Sequence, residues 1–126
     1  MAYHSFEDLE VWKRSCQLAV DVYECLRDCK DYSLKDQMQR ASVSIPSNIA
    51  EGSERGGKDF ARFIRVALGS CAELRTQVYI ATKIKLLTID QCKAFADELK
   101  QIAKMLTALR KSIVSSETTR KLKTEN

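Results

Sequence analysis

Residues 60–81 read FARFIRVALGSCAELRTQVYIA, and the spacing of their apolar side chains decides the fold class. Seven of them recur at alternating intervals of four and three residues: Phe60, Ile64, Ala67, Cys71, Leu74, Val78 and Ala81. These intervals are typical of the buried seam between packed helices. Gly69 lies inside this helix at a cost of roughly 1 kcal/mol relative to alanine, so we expect it to allow close approach of a neighbouring helix.

Three further segments repeat the same intervals. Their seam residues are Leu9, Trp12, Cys16, Ala19, Tyr23 and Leu26, then Leu34, Met38, Ala41, Ile45 and Ile49, and finally Cys92, Phe95, Leu99, Ile102, Leu106, Leu109 and Ile113. Ser5 with Asp8 predicts the start of the first helix, and Thr88 with Gln91 predicts a capping box at the fourth. Four such stripes with short joints predict an all-α, antiparallel up-and-down four-helix bundle.

This bundle is predicted to be a single domain over residues 1–126. Residues 116–126 carry no apolar stripe, so we expect them to form a disordered tail.

The stretch SIPSNIAEGSERGG, residues 44–57, is predicted to join the second helix to the third. Pro46 lies inside the apolar stripe and removes one backbone hydrogen bond, so we expect the second helix to be kinked near it. Gly52 is predicted to end that helix, because glycine tolerates the left-handed conformation found at helix ends. The stretch is not a nucleotide-binding P-loop, since it lacks the G-x-x-x-x-G-K-[ST] order and no strand precedes it.

The polar side chains of this joint have two interpretations. Ser44, Ser47 and Asn48 could line a polar site, or they could hydrogen-bond to backbone groups that Pro46 leaves unpaired. We favour the second interpretation. We also expect Asn48 and Glu51 to be largely buried and hydrogen-bonded.

The distribution of charge and hydropathy indicates which kinds of partner and location to expect. The net charge is +4, but residues 1–57 carry 7 basic and 10 acidic side chains, whereas residues 58–126 carry 14 and 7. This asymmetry permits an anionic partner. No apolar run reaches the roughly 18 residues of a membrane span, and the first residues, MAYHSFEDLEVW, lack a basic-then-apolar leader. We therefore expect a cytoplasmic protein with no membrane partner.

Few side chains in the sequence could form a catalytic site or a metal-binding site. The only histidine, His4, is expected to be solvated, and the Arg-to-His pair that HEPN-type ribonucleases require does not occur. Cys25 and Cys29 lie one helical turn apart, but no histidine or second cysteine pair completes a metal site. We expect the five cysteines to be reduced, partly buried thiols. The sequence therefore predicts a protein that is not an enzyme and holds no cofactor.

Two groups of basic side chains follow helical spacing. They are Lys58, Arg62 and Arg65 in the third helix, and Lys93, Lys100, Lys104 and Lys111 in the fourth. Each group could simply be a solvated helix face, or it could bind the phosphates of a nucleic acid. No aromatic residues interleave these charges, so base stacking is not indicated.

Three motifs resemble those of the four-helix bundle proteins also called 23S rRNA intervening sequence proteins. They read FEDLEVW, QMQRASVSIPSNIAEGSERGGKDFARF and ALGSCAEL, and the resemblance covers roughly residues 5–113. The signature positions are Phe6, Leu9, Trp12, Gln37, Arg40, Ser44, Pro46, Asn48, Glu51, Gly52, Arg55, Gly69, Ser70, Glu73 and Leu74. The sequence departs from the family at residues 84–88, IKLLT, where a glycine turn is commoner.

The resemblance implies an up-and-down four-helix bundle that assembles into a homopentamer, and bacterial genes, some inside insertions in 23S ribosomal RNA genes. Biochemical activity is largely undefined in that family. A related group, the accessory proteins of diversity-generating retroelements, binds nucleic acid and a reverse transcriptase through a basic barrel. The first hypothesis is therefore a non-enzymatic, oligomeric protein that binds RNA or DNA, with the signature residues setting bundle geometry. The alternatives are a structural or protein-docking module that binds no nucleic acid, and a cryptic hydrolase.

Overall fold

The computed structural model describes residues 5–125, with side chains for residues 5–123. Within that range there is no strand, and there are four α-helices. They are α1 (Glu10–Cys25), α2 (Tyr32–Arg55), α3 (Gly57–Lys83) and α4 (Ile89–Glu125). A 3₁₀ turn, Phe6–Asp8, precedes α1. The predicted all-α class is confirmed.

Each helix packs against the next one along the chain. The helix α2 packs against both α1 and α3. The helix α4 packs against α3 and also against α1, whereas α1 and α3 are not in contact. The connections are short, from a single residue, Gly56, to the six residues 26–31. Short connections between neighbouring helices give the up-and-down antiparallel topology that the sequence predicts.

The predicted core is confirmed in three helices and only in part in α1, where Ala19 and Leu26 are buried as predicted. The predicted stripes of α2, α3 and α4 are buried or half-buried throughout. In α1 the buried side chains are Val11, Ser15, Leu18, Ala19, Val22 and, just beyond the helix, Leu26. The predicted stripe had instead included Tyr23, which is 46 % exposed. Two overlapping apolar stripes run along α1, and the one beginning at Val11 faces the core.

Side-chain caps mark the starts of α4 and of the 3₁₀ turn, whereas α1 and α3 begin without one. Thr88 and Gln91 form the predicted capping box, since the Gln91 N–H donates to Oγ1 of Thr88 at 3.1 Å and the Thr88 N–H donates to Oε1 of Gln91 at 2.9 Å. Ser5 caps the 3₁₀ turn rather than α1, because its Oγ accepts from the N–H of Glu7 at 3.1 Å. The helix α1 begins one turn later, after Leu9.

The helix α2 continues past the position where it was predicted to end. Gly52 lies inside it, and the helix ends at Arg55. The left-handed conformation predicted for Gly52 belongs to Gly56, whose φ is 70° and whose N–H donates to the carbonyl of Gly52 at 2.9 Å. Pro46 is buried inside the helix, and the kink near it stays a prediction.

The last helix is longer than its apolar stripe. Where the sequence predicts a disordered tail over residues 116–126, the structure continues α4 to Glu125. Val114, Glu117 and Lys121 lie against the first turns of α3, which gives this extension neighbours that its sequence does not reveal. His4 lies outside the described residues. No helix within residues 5–125 is both long and apolar enough to cross a membrane.

The departure at residues 84–88 is accommodated by strain at one residue. Lys85 has a φ of 68°, the left-handed conformation that glycine adopts most easily. The N–H groups of Leu86 and Leu87 both donate to the carbonyl of Ala81, at 2.8 and 3.3 Å. These bonds close the end of α3 without a glycine.

Candidate nucleic-acid interface

The signature residues meet along the seam between α2 and α3. The amide of Asn48 donates to the carbonyl of Ser44 at 2.7 Å and to its Oγ at 2.9 Å. The Ser44 and Ser70 hydroxyls are 2.8 Å apart, and the Ser70 Oγ also donates to the carbonyl of Val66 at 3.3 Å. These contacts form one chain of hydrogen bonds that ties α2 to α3.

These hydrogen bonds satisfy backbone carbonyls, but not the carbonyl that Pro46 leaves without a donor. Pro46 has no N–H, so the carbonyl that loses its usual donor is that of Ser42. Asn48 bonds instead to Ser44, and the exposed side chain of Ser47 makes no hydrogen bond in the described part of the chain. Asn48 therefore bonds to a backbone carbonyl, but neither side chain bonds to the carbonyl that Pro46 leaves unpaired, which the favoured interpretation had expected.

Gly52 is required where the two helices come closest. A Cβ atom on Gly52 would lie 2.7 Å from Cβ of Phe63 and 3.3 Å from the carbonyl oxygen of Phe60. A Cβ atom almost never approaches another heavy atom as closely as 2.7 Å, so the backbones would have to separate. Gly52 thus fixes the spacing of α2 and α3.

A group of paired charges surrounds Phe63 on the outside of this joint. The guanidinium groups of Arg55 and Arg62 each lie 5.1 Å from the centroid of the Phe63 ring. Arg55 pairs with Glu51 at 2.9 Å and with Asp59 at 3.7 Å, and Arg62 pairs with Asp59 at 3.1 Å. Glu51 is therefore ion-paired, but the prediction that it is buried is wrong, because its side chain is 52 % exposed.

Three further signature residues, Arg40, Gly69 and Glu73, lie on the surface. Arg40 is exposed and pairs with Asp36 at 3.1 Å, one turn earlier in α2. Glu73 and Gly69 are exposed on α3. A Cβ atom on Gly69 would meet nothing within 4 Å, so the prediction that this glycine allows close approach of a helix is wrong within the chain.

The six basic residues predicted to bind nucleic acid are all exposed. They are Lys58, Arg62, Arg65, Lys93, Lys100 and Lys104. They lie on two adjacent helices, α3 and α4. Arg62 is engaged by Asp59, whereas Arg65 and the four lysines make no ion pair within residues 5–123.

A groove between α3 and α4 adds basic residues that sequence reasoning missed. The groove is about 590 Å³ and places Lys58 and Ala61 of α3 opposite Arg120 and Lys121 of α4. One carboxylate, that of Glu117, also lines it and pairs with Arg120 at 3.3 Å. Residues 116–126 were predicted to be disordered, so their basic side chains were not assigned to any surface. Helical spacing from Glu117 to Lys121 was the signal that could have found them.

The cysteines do not form a reactive or metal-binding group. Burial raises the pKa of Cys71 to about 11, and burial also raises the pKa values of Cys16 and Cys25. These thiols therefore stay protonated at neutral pH and are poor nucleophiles. No group of three or more His, Cys, Asp or Glu side chains in the described residues could hold a metal ion.

Comparison with known proteins identifies sequence and fold relatives. The family model of the 23S rRNA-intervening sequence protein matches residues 7–108. A crystal structure from Bacteroides thetaiotaomicron VPI-5482, of a protein with unknown function from the S23 ribosomal protein family, has 24 % sequence identity and a TM-score of 0.75. The similarity covers 80 % of this chain and 98 % of that chain, and at this identity it shows the fold alone. No curated protein matches the chain.

Proposed function

The chain belongs to the 23S rRNA-intervening sequence protein family, and on that premise we propose that it is a non-enzymatic protein that self-assembles and binds RNA through the basic surfaces of α3 and α4. A homopentamer is the assembly that we propose. A bacterial source and a cytoplasmic location are part of the same proposal.

The observation that carries the RNA proposal is the groove between α3 and α4. Lys58, Arg120 and Lys121 come together there from chain positions some 60 residues apart. Arg65 lies two turns beyond Lys58 and is exposed with no paired carboxylate in the described part of the chain. Lys58, Arg65 and Lys121 make no ion pair among the described residues, and cations of this kind on adjacent helices suit the regularly spaced phosphates of a nucleic acid.

Charge separation in space supports this assignment. The acidic half of the sequence forms α1 and α2, and the basic half forms α3 and α4. Residues 58–126, which carry 14 basic side chains, form two helices that pack side by side. Binding of this kind uses phosphates mainly, so we expect weak sequence specificity and a steep loss of affinity with salt.

A non-enzymatic role is proposed because the side chains that could carry chemistry are not activated. The Cys71 thiol, with its pKa near 11, is protonated at neutral pH. The acidic and basic side chains at the joint, Glu51, Arg55 and Asp59, neutralise one another on the surface. Neither arrangement resembles a nucleophile held by a general base.

The test is a filter-binding titration with single-stranded and structured RNA at about 50 and 200 mM salt, over which multi-phosphate binding loses orders of magnitude. We expect Lys58→Glu with Lys121→Glu to weaken binding by at least about tenfold at the lower salt. The matched control is Lys30→Glu with Lys35→Glu, which makes the same charge change in the turn after α1 and at the start of α2, away from the groove. Arg62→Glu with Arg65→Glu should weaken binding as well, chiefly through Arg65.

Equal loss in the control pair would mean that net charge, not this surface, governs affinity. Absence of binding at the lower salt would favour the second candidate, a protein-docking module. That candidate is supported by apolar side chains at the opposite end of the bundle, where Tyr32 is 70 % exposed and Ile89 is 80 % exposed. Exposed apolar side chains clustered at one end are typical of protein contact.

A further inference from the structure

A second row of side chains runs along α3 on the side away from the core. Its members are Arg62, Val66, Gly69, Glu73, Thr76, Ile80 and Lys83. They recur at intervals of four and three residues, and every one is exposed. Val66 is 47 % exposed and Ile80 is 44 % exposed. We call this set the α3 outer row; it has the spacing of a helix-packing seam, although no helix of the chain covers it.

Gly69 lies near the middle of the α3 outer row. Glycine costs about 1 kcal/mol relative to alanine at such a position, and the space around Gly69 would hold a Cβ atom with no neighbour within 4 Å. Packing within the chain therefore gives no reason for this glycine. An external helix that approaches closely would gain from the missing side chain.

A corresponding row runs along α1. Its members are Glu10, Lys13, Gln17, Val20, Glu24 and, just beyond the helix, Arg27. They recur at intervals of three and four residues and are all exposed, with Val20 at 48 %. We call this set the α1 outer row.

The two outer rows lie on opposite sides of the bundle. The helices α1 and α3 are separated by α2 and α4 and do not touch. In an up-and-down bundle they run in the same direction. A contact between the α3 outer row of one copy and the α1 outer row of the next joins two different surfaces, so it repeats from copy to copy and closes into a ring only where successive copies are rotated relative to one another.

The charges of the two rows are complementary when the helices are parallel. In α3, Ile80 lies seven residues after Glu73, and Lys83 lies three residues after Ile80. In α1, Val20 lies seven residues after Lys13, and Glu24 lies four residues after Val20. Seven residues span about 10 Å of helix in both cases. A parallel alignment of the two rows therefore sets acid against base at both ends of an apolar pair.

Three of these four charges, on Lys13, Glu24 and Glu73, make no ion pair with any other described residue. Lys83 contacts only the ring of Tyr79, with its Nζ 5.4 Å from the centroid. All four are thus available to a neighbouring molecule.

We propose that the α3 outer row of one copy packs in parallel against the α1 outer row of a second copy, with Glu73 opposite Lys13 and Lys83 opposite Glu24. The proposal rests on the self-assembly part of the proposed function and adds the two surfaces that meet. In this register Gly69 lies opposite the start of α1, where its missing side chain allows close approach, and the contact of Ile80 with Val20 is the apolar pair of the interface.

Charge reversal is the main test, with assembly followed by sedimentation and light scattering in the absence of RNA. We expect Glu73→Lys to raise the dissociation constant of assembly at least about tenfold, because it sets two cations against each other. Lys13→Glu should do the same, and the two changes in one chain should restore assembly. Glu54→Lys, an equal charge change at an exposed position of α2, is the matched control and should assemble like the parent.

Steric substitution is the second arm of the experiment. Gly69→Leu should dissociate the assembly, while Ala72→Leu, which is also exposed on α3 but lies outside the row, should not. Circular dichroism should show an unchanged helical fold in both. If the parent assembles and neither Glu73→Lys nor Gly69→Leu weakens it, these surfaces are excluded and self-assembly stands. A monomeric parent would overturn self-assembly and this inference together.

Discussion

Gly52 and Gly69 lie inside neighbouring helices, and both belong to the motifs that resemble the family. Around Gly52, Phe63 of α3 leaves no room for a Cβ atom, which would come within 2.7 Å of the Phe63 Cβ. Around Gly69, the same atom would meet nothing within 4 Å. One glycine is therefore explained by packing within the chain and the other is not. The comparison therefore distinguishes motif residues that pack inside the bundle from motif residues that are exposed on its surface.

The same division extends to the polar members of the motif. Asn48, Ser44 and Ser70 hold α2 and α3 together through hydrogen bonds of 2.7–2.9 Å. Glu73 and Arg40 instead point outward, and Glu73 has no ion pair in the described residues. The two motifs at residues 37–63 and 67–74 thus each contribute to two different sides of α2 and α3.

The largest effect is expected at Gly52. Gly52→Ala should lower the free energy of unfolding by about 2–3 kcal/mol, because overpacking at a closely packed seam outweighs the higher helix propensity of alanine. Urea denaturation followed by circular dichroism would measure this loss. A variant as stable as the parent would show that α2 and α3 can separate easily, and the contrast with Gly69 would disappear.

A smaller loss is expected at Asn48. Asn48→Ala removes two donated hydrogen bonds and leaves the Ser44 hydroxyl with Ser70 alone, so we expect a loss of about 1–2 kcal/mol. The matched control is Ser47→Ala, at an exposed position of the same helix, which should change stability by less than about 0.5 kcal/mol. Equal urea midpoints for the two variants would contradict a structural role for the Asn48 chain of hydrogen bonds.

Periodicity predicted most of the fold because the stripes of α2, α3 and α4 are unambiguous. In α3 the opposite side has only two apolar side chains, Val66 and Ile80, among polar and charged ones, so the stripe is the one continuous apolar face of this helix. In α1, Val11, Leu18 and Val22 compete with Trp12, Cys16 and Tyr23 for the core. Spacing alone cannot decide between two stripes that both have helical period; packing against α2 and α4 does.

Other features depend on contacts between distant segments, which a single sequence does not state. Gly52 resembles a helix end until Phe63 is seen beside it. Glu51 follows an apolar run, yet its pairing with Arg55 keeps it at the surface. Lys121 joins Lys58 only because α4 extends past its apolar stripe along α3. The basic groups of the candidate interface were predicted from spacing, but the groove that brings them together was not.

The smallest expected effect has the opposite sign and concerns Gly69. Gly69→Ala adds a methyl group that meets no neighbour within the subunit, so the gain in helix propensity should raise the free energy of unfolding by about 0.5–1 kcal/mol. The measurement is urea denaturation at a protein concentration where light scattering shows the monomer, since assembly would add its own contribution to stability. Ala72→Gly, an exposed position three residues later in α3, is the reciprocal control and should lose about the same amount. A destabilised Gly69→Ala monomer would mean that the subunit itself needs this glycine, and the two glycines would then differ only in degree.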